Sequence, residues 1–344
     1  MLGYRFFVNK TGLDLFDAFR AYGLAIAVKG FKPGDIKIED FGSAYVVQFE
    51  GELPKYPDSQ IFGGDGWRRI FRTFRERKDA KRKHPKDIVK GVLVQDFNKV
   101  LQIHQDPDFM PQIDDKVKDG ITLYQSIDVS AAKGFRETKL CKSYHEGTQI
   151  QVDKYSGAIA YLGAAHFGCW QEGVDFITCL LPNPFKVLFL SARQVQRDLT
   201  NENLCRVSSS VTLAHYSVRL MILLQKHKIT DSEVAYDSVL FNVMRKTGQQ
   251  PKPAGGGRYE LDFLKEVAQE RETLIMMDKI FNMGFVKGIK QDMAMRLADF
   301  VLDPSLENFR KYQNLHLRAY LNKEKVPHWN DRTWGEVMKH VQNV

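Results

Sequence analysis

The stretch LDLFDAFRAYGLAIAV, residues 13–28, sets the tightest condition on the fold. At helical spacing, Leu13, Leu15, Phe16, Ala18, Phe19, Tyr22, Leu24, Ala25 and Ile26 cover a broad arc. Asp14, Asp17 and Arg20 fall three apart and mark a narrow wet face. A surface helix needs one apolar stripe. An arc this wide predicts burial on two sides, so the helix must lie between two other apolar layers.

The flanking sequence supplies candidates for those layers. GYRFFVN (3–9) and SAYVVQFEG (43–51) read as strands, the second bounded by Gly42 and Gly51. Residues 86–105 read as a helix, followed by the Pro- and Asp-rich loop DPDFMPQIDD. GVDFITCLLPNPFKVLFLS (173–191) reads as two apolar strands joined at Pro182–Asn183–Pro184 in a hairpin-like turn. From Ser208 the pattern turns helical. SSSVTLAHYSVRLMILLQKH is one helix, and Thr230 with Glu233 forms a capping box that should open a second. TGQQPKPAGGGRYE (247–260) reads as a flexible loop between helices. Further helices are expected over 261–283, 286–302 and 304–323, the last started by Asp303 as N-cap and Pro304 at the first position. The fold class is therefore α+β. A mixed α/β domain over 1–207 is expected to precede a helical bundle over 208–344.

Charge narrows the function. The chain has 50 basic and 42 acidic residues, a net charge of +8. Between Trp67 and Lys90 alone, eleven basic residues face three acidic ones, which is also +8, so the rest of the chain is balanced. Trp67, Ile70, Phe71 and Phe74 have the spacing of one helical face, with Asp65 as a plausible cap and Pro85 as a stop. The expectation is a basic amphipathic helix carrying Arg68, Arg69, Arg72, Arg75, Arg77, Lys78, Lys81, Arg82 and Lys83, with Lys86 just beyond. A merely solvated face usually mixes both signs. A membrane-surface helix is the other alternative, but Lys81 to Lys86 lies past the aromatic stripe and no second anchor follows. Arginine forks suit phosphate oxygens, and nucleic-acid phosphate is the preferred partner. Gln249, Gln250, Lys252 and Arg258 are the candidates for reading base edges, if the 247–260 loop is more than a linker.

Other chemistry lacks its motif. The chain has no GxxxxGK[ST] loop, no HExxH and no GxSxG. Asp106, Asp108, Asp114 and Asp115 cluster in a Pro-interrupted loop and are read as solvated turn residues rather than metal ligands. His166 and Cys169 sit within AAHFGCW and are read as packed core residues. Cys141, Cys169, Cys179 and Cys205 form no CxxC pair and read as reduced, mostly buried thiols. The apolar run after Met1 is too short for a signal peptide, and no run reaches the roughly eighteen residues a membrane span needs. A cytoplasmic protein without cofactor is expected.

Two segments, QSIDVSAAKGFRETKLCKSYHEGTQIQV (125–152) and YLGAAHFGCWQEGVDFITCLLPNPFKV (161–187), carry a resemblance. A small-residue stretch ending in an aromatic, then an apolar strand closing in LPxP, resembles the shorter large subunits of type I CRISPR effector complexes (Cascade). The resemblance covers about half the chain. It implies a non-catalytic subunit of a guide-RNA complex, partnered by other effector subunits and no membrane. Such a subunit recognises a short motif beside the target in double-stranded DNA and helps open it. No motif-reading residue is carried over; the basic and loop residues above come from the chain's own pattern. The alternatives are a nucleic-acid-processing enzyme with an unrecognised metal site and a stand-alone nucleic-acid-binding adaptor.

Overall fold

The computed structural model describes residues 3–30, 36–71, 84–114, 116–128, 150–247, 250–327, 329 and 331–341. Strand β1 (Gly3–Asn9) leads into helix α1 (Asp14–Lys29), then β2 (Ile36–Asp40) and β3 (Ala44–Glu50). Two 3-10 turns, Ser59–Phe62 and Gly66–Arg69, precede α2 (Pro85–Gln105). Short strands β4 (Ile113–Asp114), β5 (Ile121–Thr122) and β6 (Gln151–Val152) come next, followed by α3 (Lys154–Phe167), β7 (Cys169–Glu172), β8 (Phe176–Pro182) and β9 (Lys186–Leu188). Helices α4 (Phe189–Asn201) and α5 (Ser209–Lys226) are followed by β10 (Val234–Ala235), β11 (Ser238–Thr247) and β12 (Gln250–Glu260). The chain closes with α6 (Asp262–Val267), α7 (Arg271–Met283), α8 (Ile289–Leu302), α9 (Leu306–Leu321) and α10 (Asp331–Lys339). The fold is α+β, as the sequence implies.

The two-sided burial of α1 holds. Every residue from Leu15 to Val28 is buried. One side faces the five-stranded sheet β1-β3-β2-β9-β10, and the other faces α3. The second contact is close because both helices carry a glycine at the crossing. A Cβ on Gly23 would lie 1.9 Å from Ile159 O, and one on Gly163 would lie 1.9 Å from Phe19 O. The expected wet face is overturned: Asp17 and Arg20 are buried too. Arg20 Nη1 donates to Asn9 O at 2.8 Å and to Asp17 Oδ1 at 3.1 Å. Asp17 also accepts the backbone N–H of Thr11 at 2.7 Å. The pair turns inward because the strand-to-helix corner needs partners for its backbone.

Other departures have equally definite causes. Pro182–Asn183–Pro184 is no hairpin. β8 belongs to the four-stranded sheet β12-β11-β8-β7 and β9 to the five-stranded one, so this corner passes the chain between sheets. Asn183 holds the corner, accepting from Tyr45 Oη at 2.6 Å and donating to Asp237 Oδ1 at 2.9 Å. Thr230 and Glu233 do make their cap bond, at 3.1 Å, but over a turn that feeds β10 and β11 rather than a helix. Within the 247–260 stretch, Thr247 ends β11, Gly248 and Gln249 lie outside the described residues, and residues 250–260 are strand β12, paired with β11 from Ser238↔Glu260 to Thr247↔Gln250. Its glycines obey the register of the β-forming partner SVLFNVM. Pro251 and Pro253 are tolerated because β12 is a sheet edge. Helix α9 is capped by Ser305, whose Oγ accepts from Asn308 N, not by Asp303. One apolar core runs through the described residues from Phe6 to Val337.

Candidate nucleic-acid interface

The basic stretch is rooted on α3. Asp58 caps the first 3-10 turn and accepts from Gln60 N. Ile61 is buried, and its carbonyl receives the Nε2–H of His166 at 2.7 Å. Gly66 passes so close to α3 that a Cβ there would meet Ala165 O at 1.7 Å. This approach seats Trp67, which is buried, donates from Nε1 to Gly63 O at 3.0 Å, and meets the His166 ring edge-on. Arg68 is exposed and Arg69 half-buried on the same turn.

The expected helix does not run through Ile70. Ile70 is extended, at φ −90° and ψ 114°. Asp65 stands at the cap position without a side-chain bond. The apolar stripe is divided between two clusters. Trp67 and Ile70 enter the main core, whereas Phe71 packs with Ile177 of β8 and Met244 of β11 in a separate one, against Trp170. Phe71 N–H donates to Ser126 Oγ at 2.8 Å. A helix would hold Trp67, Ile70 and Phe71 on one face and forbid that split; Phe74 lies outside the described residues. Arg72, Arg75, Arg77, Lys78, Lys81, Arg82 and Lys83 lie outside the described residues, as do Gln249 and Asp115. The segment 72–83 is thus bounded by two fixed points, buried Phe71 and buried Pro85, the first residue of α2. Lys86 is half-buried and Lys90 exposed on the next turn.

A cleft opens at each end of that segment. Beside Pro85 lies one of about 450 Å³, lined by Tyr56, Pro57, Ser59, Phe62, Lys86 and Lys90 among others. Beside Phe71 lies one of about 310 Å³, with Arg69 and Arg206 among Trp170, Glu172, Glu202 and Asn203. The two acids of the second cleft have basic neighbours. Lys246 Nζ sits 2.7 Å from Glu172, and Arg219 Nη1 sits 3.7 Å from Glu202.

Of the motif-reading candidates, Lys252 and Arg258 do not converge. Register puts Lys252 opposite Arg245 and Arg258 opposite Leu240. Residues 240 and 245 are an odd number apart on one strand, so Lys252 and Arg258 belong to opposite faces of the hairpin. Gln250 pairs with Thr247 at the hairpin end. What the sequence did not reveal is that Phe71, at the root of the basic segment, touches this same hairpin through Met244. The alternation of SVLFNVM was the available signal for β11, obscured by the glycine- and proline-rich partner.

The remaining candidates are structural in their surroundings. Asp106 follows the last turn of α2 and accepts from Asp108 N at 2.9 Å, and Asp114 lies in β4. Among the described residues, no three His, Cys, Asp or Glu side chains are grouped to hold a metal ion. Burial pushes the Cys169 thiol up to about 11 and lowers His166 to about 4, the reverse of an activated thiolate pair. Cys179 and Cys205 are buried free thiols; Cys141 lies outside the described residues. No described helix is long and apolar enough to cross a membrane.

No family model matches the chain. It is similar to an uncharacterized protein of Archaeoglobus fulgidus, with 30% identity over 358 aligned positions and 98% of each chain covered.

Proposed function

This chain belongs to one family with the Archaeoglobus fulgidus protein, and we propose that it serves as a non-catalytic, nucleic-acid-binding subunit of an RNA-guided complex. In this reading it is a short-form large subunit of a type I CRISPR effector. It works in the cytoplasm with guide RNA and other effector subunits, binds duplex DNA beside the target and steadies the opened strands. The observation that carries the reading is the fixed rooting of the charge excess. Seven basic and two acidic residues lie between Phe71 and Pro85, and both anchors are buried. A cationic segment held at both ends loses less entropy on meeting phosphates than a free tail would. Strand exchange against a guide is nearly balanced, so backbone contacts of this kind tip it.

Duplex binding by the purified protein, followed by fluorescence anisotropy against salt, tests the reading. Replacing Arg68, Arg72 and Arg75 with Ala should weaken every duplex alike and make the salt slope shallower by about one unit per lost contact. Co-expression with guide RNA and the remaining subunits should then yield one complex that requires this chain to engage target DNA. A protein that binds no duplex at low salt, and joins no such complex, would refute it.

A further inference from the structure

The cleft beside Pro85 differs from the other one in its charge. Among the described residues, its charged lining is Lys86 and Lys90, one turn apart on α2. Val94 continues the same row at i+8. Asp87 and Asp96 line a different cleft with Lys154, so α2 turns its acids away from the lysines. Opposite stands Tyr56, 78% exposed. Pro57 follows it and restricts its backbone to extended conformations. Pro57, Phe62 and Val94 provide apolar walls, and Ser59 adds a hydroxyl.

We infer that this cleft seats one nucleotide of a single strand, its base against Tyr56 and its phosphates on Lys86 and Lys90. The inference rests on the nucleic-acid reading above and adds a particular place and strandedness to it. A nucleotide has a flat apolar face joined to an anion, and the described residues of this cleft offer an exposed ring, apolar walls and two cations. Its volume of about 450 Å³ is within the range of small-ligand sites. A duplex hides the faces of its bases within the stack and cannot use Tyr56 in this way, whereas a separated strand can. The cleft adjoins Pro85, where the basic segment returns to the core, so a strand drawn in by that charge would pass it.

The test uses the purified full chain, fluorescein-labelled oligo-dA and oligo-dT, an abasic strand and a blunt duplex of the same length. Tyr56→Ala should weaken single-strand binding about tenfold, the loss of one base stacked on an aromatic ring. Tyr56→Phe should restore it to within about twofold, and the duplex and abasic strand should not distinguish the variants. Lys86→Ala and Lys90→Ala should each make the single-strand salt slope shallower by about 0.7. Duplex binding with single-strand binding indifferent to Tyr56 overturns the inference and leaves the proposed function standing. Loss of duplex and single strand in parallel overturns it equally. Poly-glutamate that competes fully, with no response to Tyr56, assigns the cleft to an acidic protein surface. No binding to any nucleic acid removes both proposals.

Discussion

Replacing Gly163 or Gly23 with Ala sets two physical effects against each other. Helix propensity favours Ala over Gly by about 1 kcal/mol in a helix interior, so the isolated helices should gain. In the fold, each new Cβ would stand 1.9 Å from a backbone carbonyl oxygen of the facing helix, Ile159 O for Gly23 and Phe19 O for Gly163. A carbon and an oxygen approach to about 3.3 Å, leaving a shortfall of roughly 1.4 Å that no side-chain rotation can absorb. The helices must separate. Phe19, Tyr22, Ile26, Ile159 and Leu162 are fully buried around this crossing, and burial of each contributes about 1.5–3 kcal/mol. A gap of 0.5–1 Å forfeits about a quarter to a half of the dispersion contact. Together they lose roughly 3 kcal/mol, or about 2 kcal/mol after the propensity gain. Urea unfolding followed by circular dichroism and tryptophan fluorescence should show each variant destabilised by about that amount. The double variant should cost less than the sum, because a separation made for one Cβ accommodates the other. An Ala variant with a raised urea midpoint would refute the close crossing.

The remaining predictions concern acid, the anchor and the acidic loop. Burial lowers His104 to about 3 and His166 to about 4, so the unfolded chain binds their protons first and stability falls as pH drops below about 6.5. At pH 5 the two should cost about 4 kcal/mol. Asp17, raised to about 6 by burial against the pull of Arg20, has the opposite sign and should offset about 1 kcal/mol of that loss; denaturant midpoints at pH 7 and 5 for wild type, His104→Gln and His166→Gln check the balance. Phe71→Ala should cost about 3 kcal/mol and weaken duplex binding without changing the salt slope, since the root loosens but no cation is lost; unchanged affinity would disprove the rooting. Asp106→Asn with Asp108→Asn should leave stability within about 0.5 kcal/mol and binding intact; metal-dependent cleavage abolished by these changes would make the chain an enzyme.

The sequence was legible wherever one residue's environment follows from its near neighbours. The arc of α1 forced burial on two sides, and the strand β3, the long helix α2 and the end of α8 followed from local pattern. It failed where a distant partner decided. Asp17 and Arg20 look like a wet stripe by spacing, yet the corner at Asn9–Thr11 draws them inward. Pro251, Pro253 and the three glycines of β12 look like a linker, yet β11 holds them in register because their outer edge need not pair. Trp67, Ile70 and Phe71 look like one helical face, yet Ile177 and Met244 take Phe71 for a second cluster.

That last departure changes the functional argument and does more than correct a helix boundary. A continuous basic helix would present its cations on fixed faces from Arg68 onward, independent of the rest of the protein. The observed root instead makes Phe71 the junction of three elements: the turn that carries Arg68 and Arg69, β8, and β11 of the hairpin that carries Lys252. A displacement of Phe71 would therefore reach Met244 and Ile177, on the sheet shared with the hairpin. Charge and hairpin, which are remote in sequence and unrelated by pattern, meet through a single buried ring. Double-mutant cycles between Phe71→Ala and Met244→Ala should accordingly show a coupling of about 0.5–3 kcal/mol in stability. Were the two independent, the sequence-level picture of separate charge and loop elements would be the correct one.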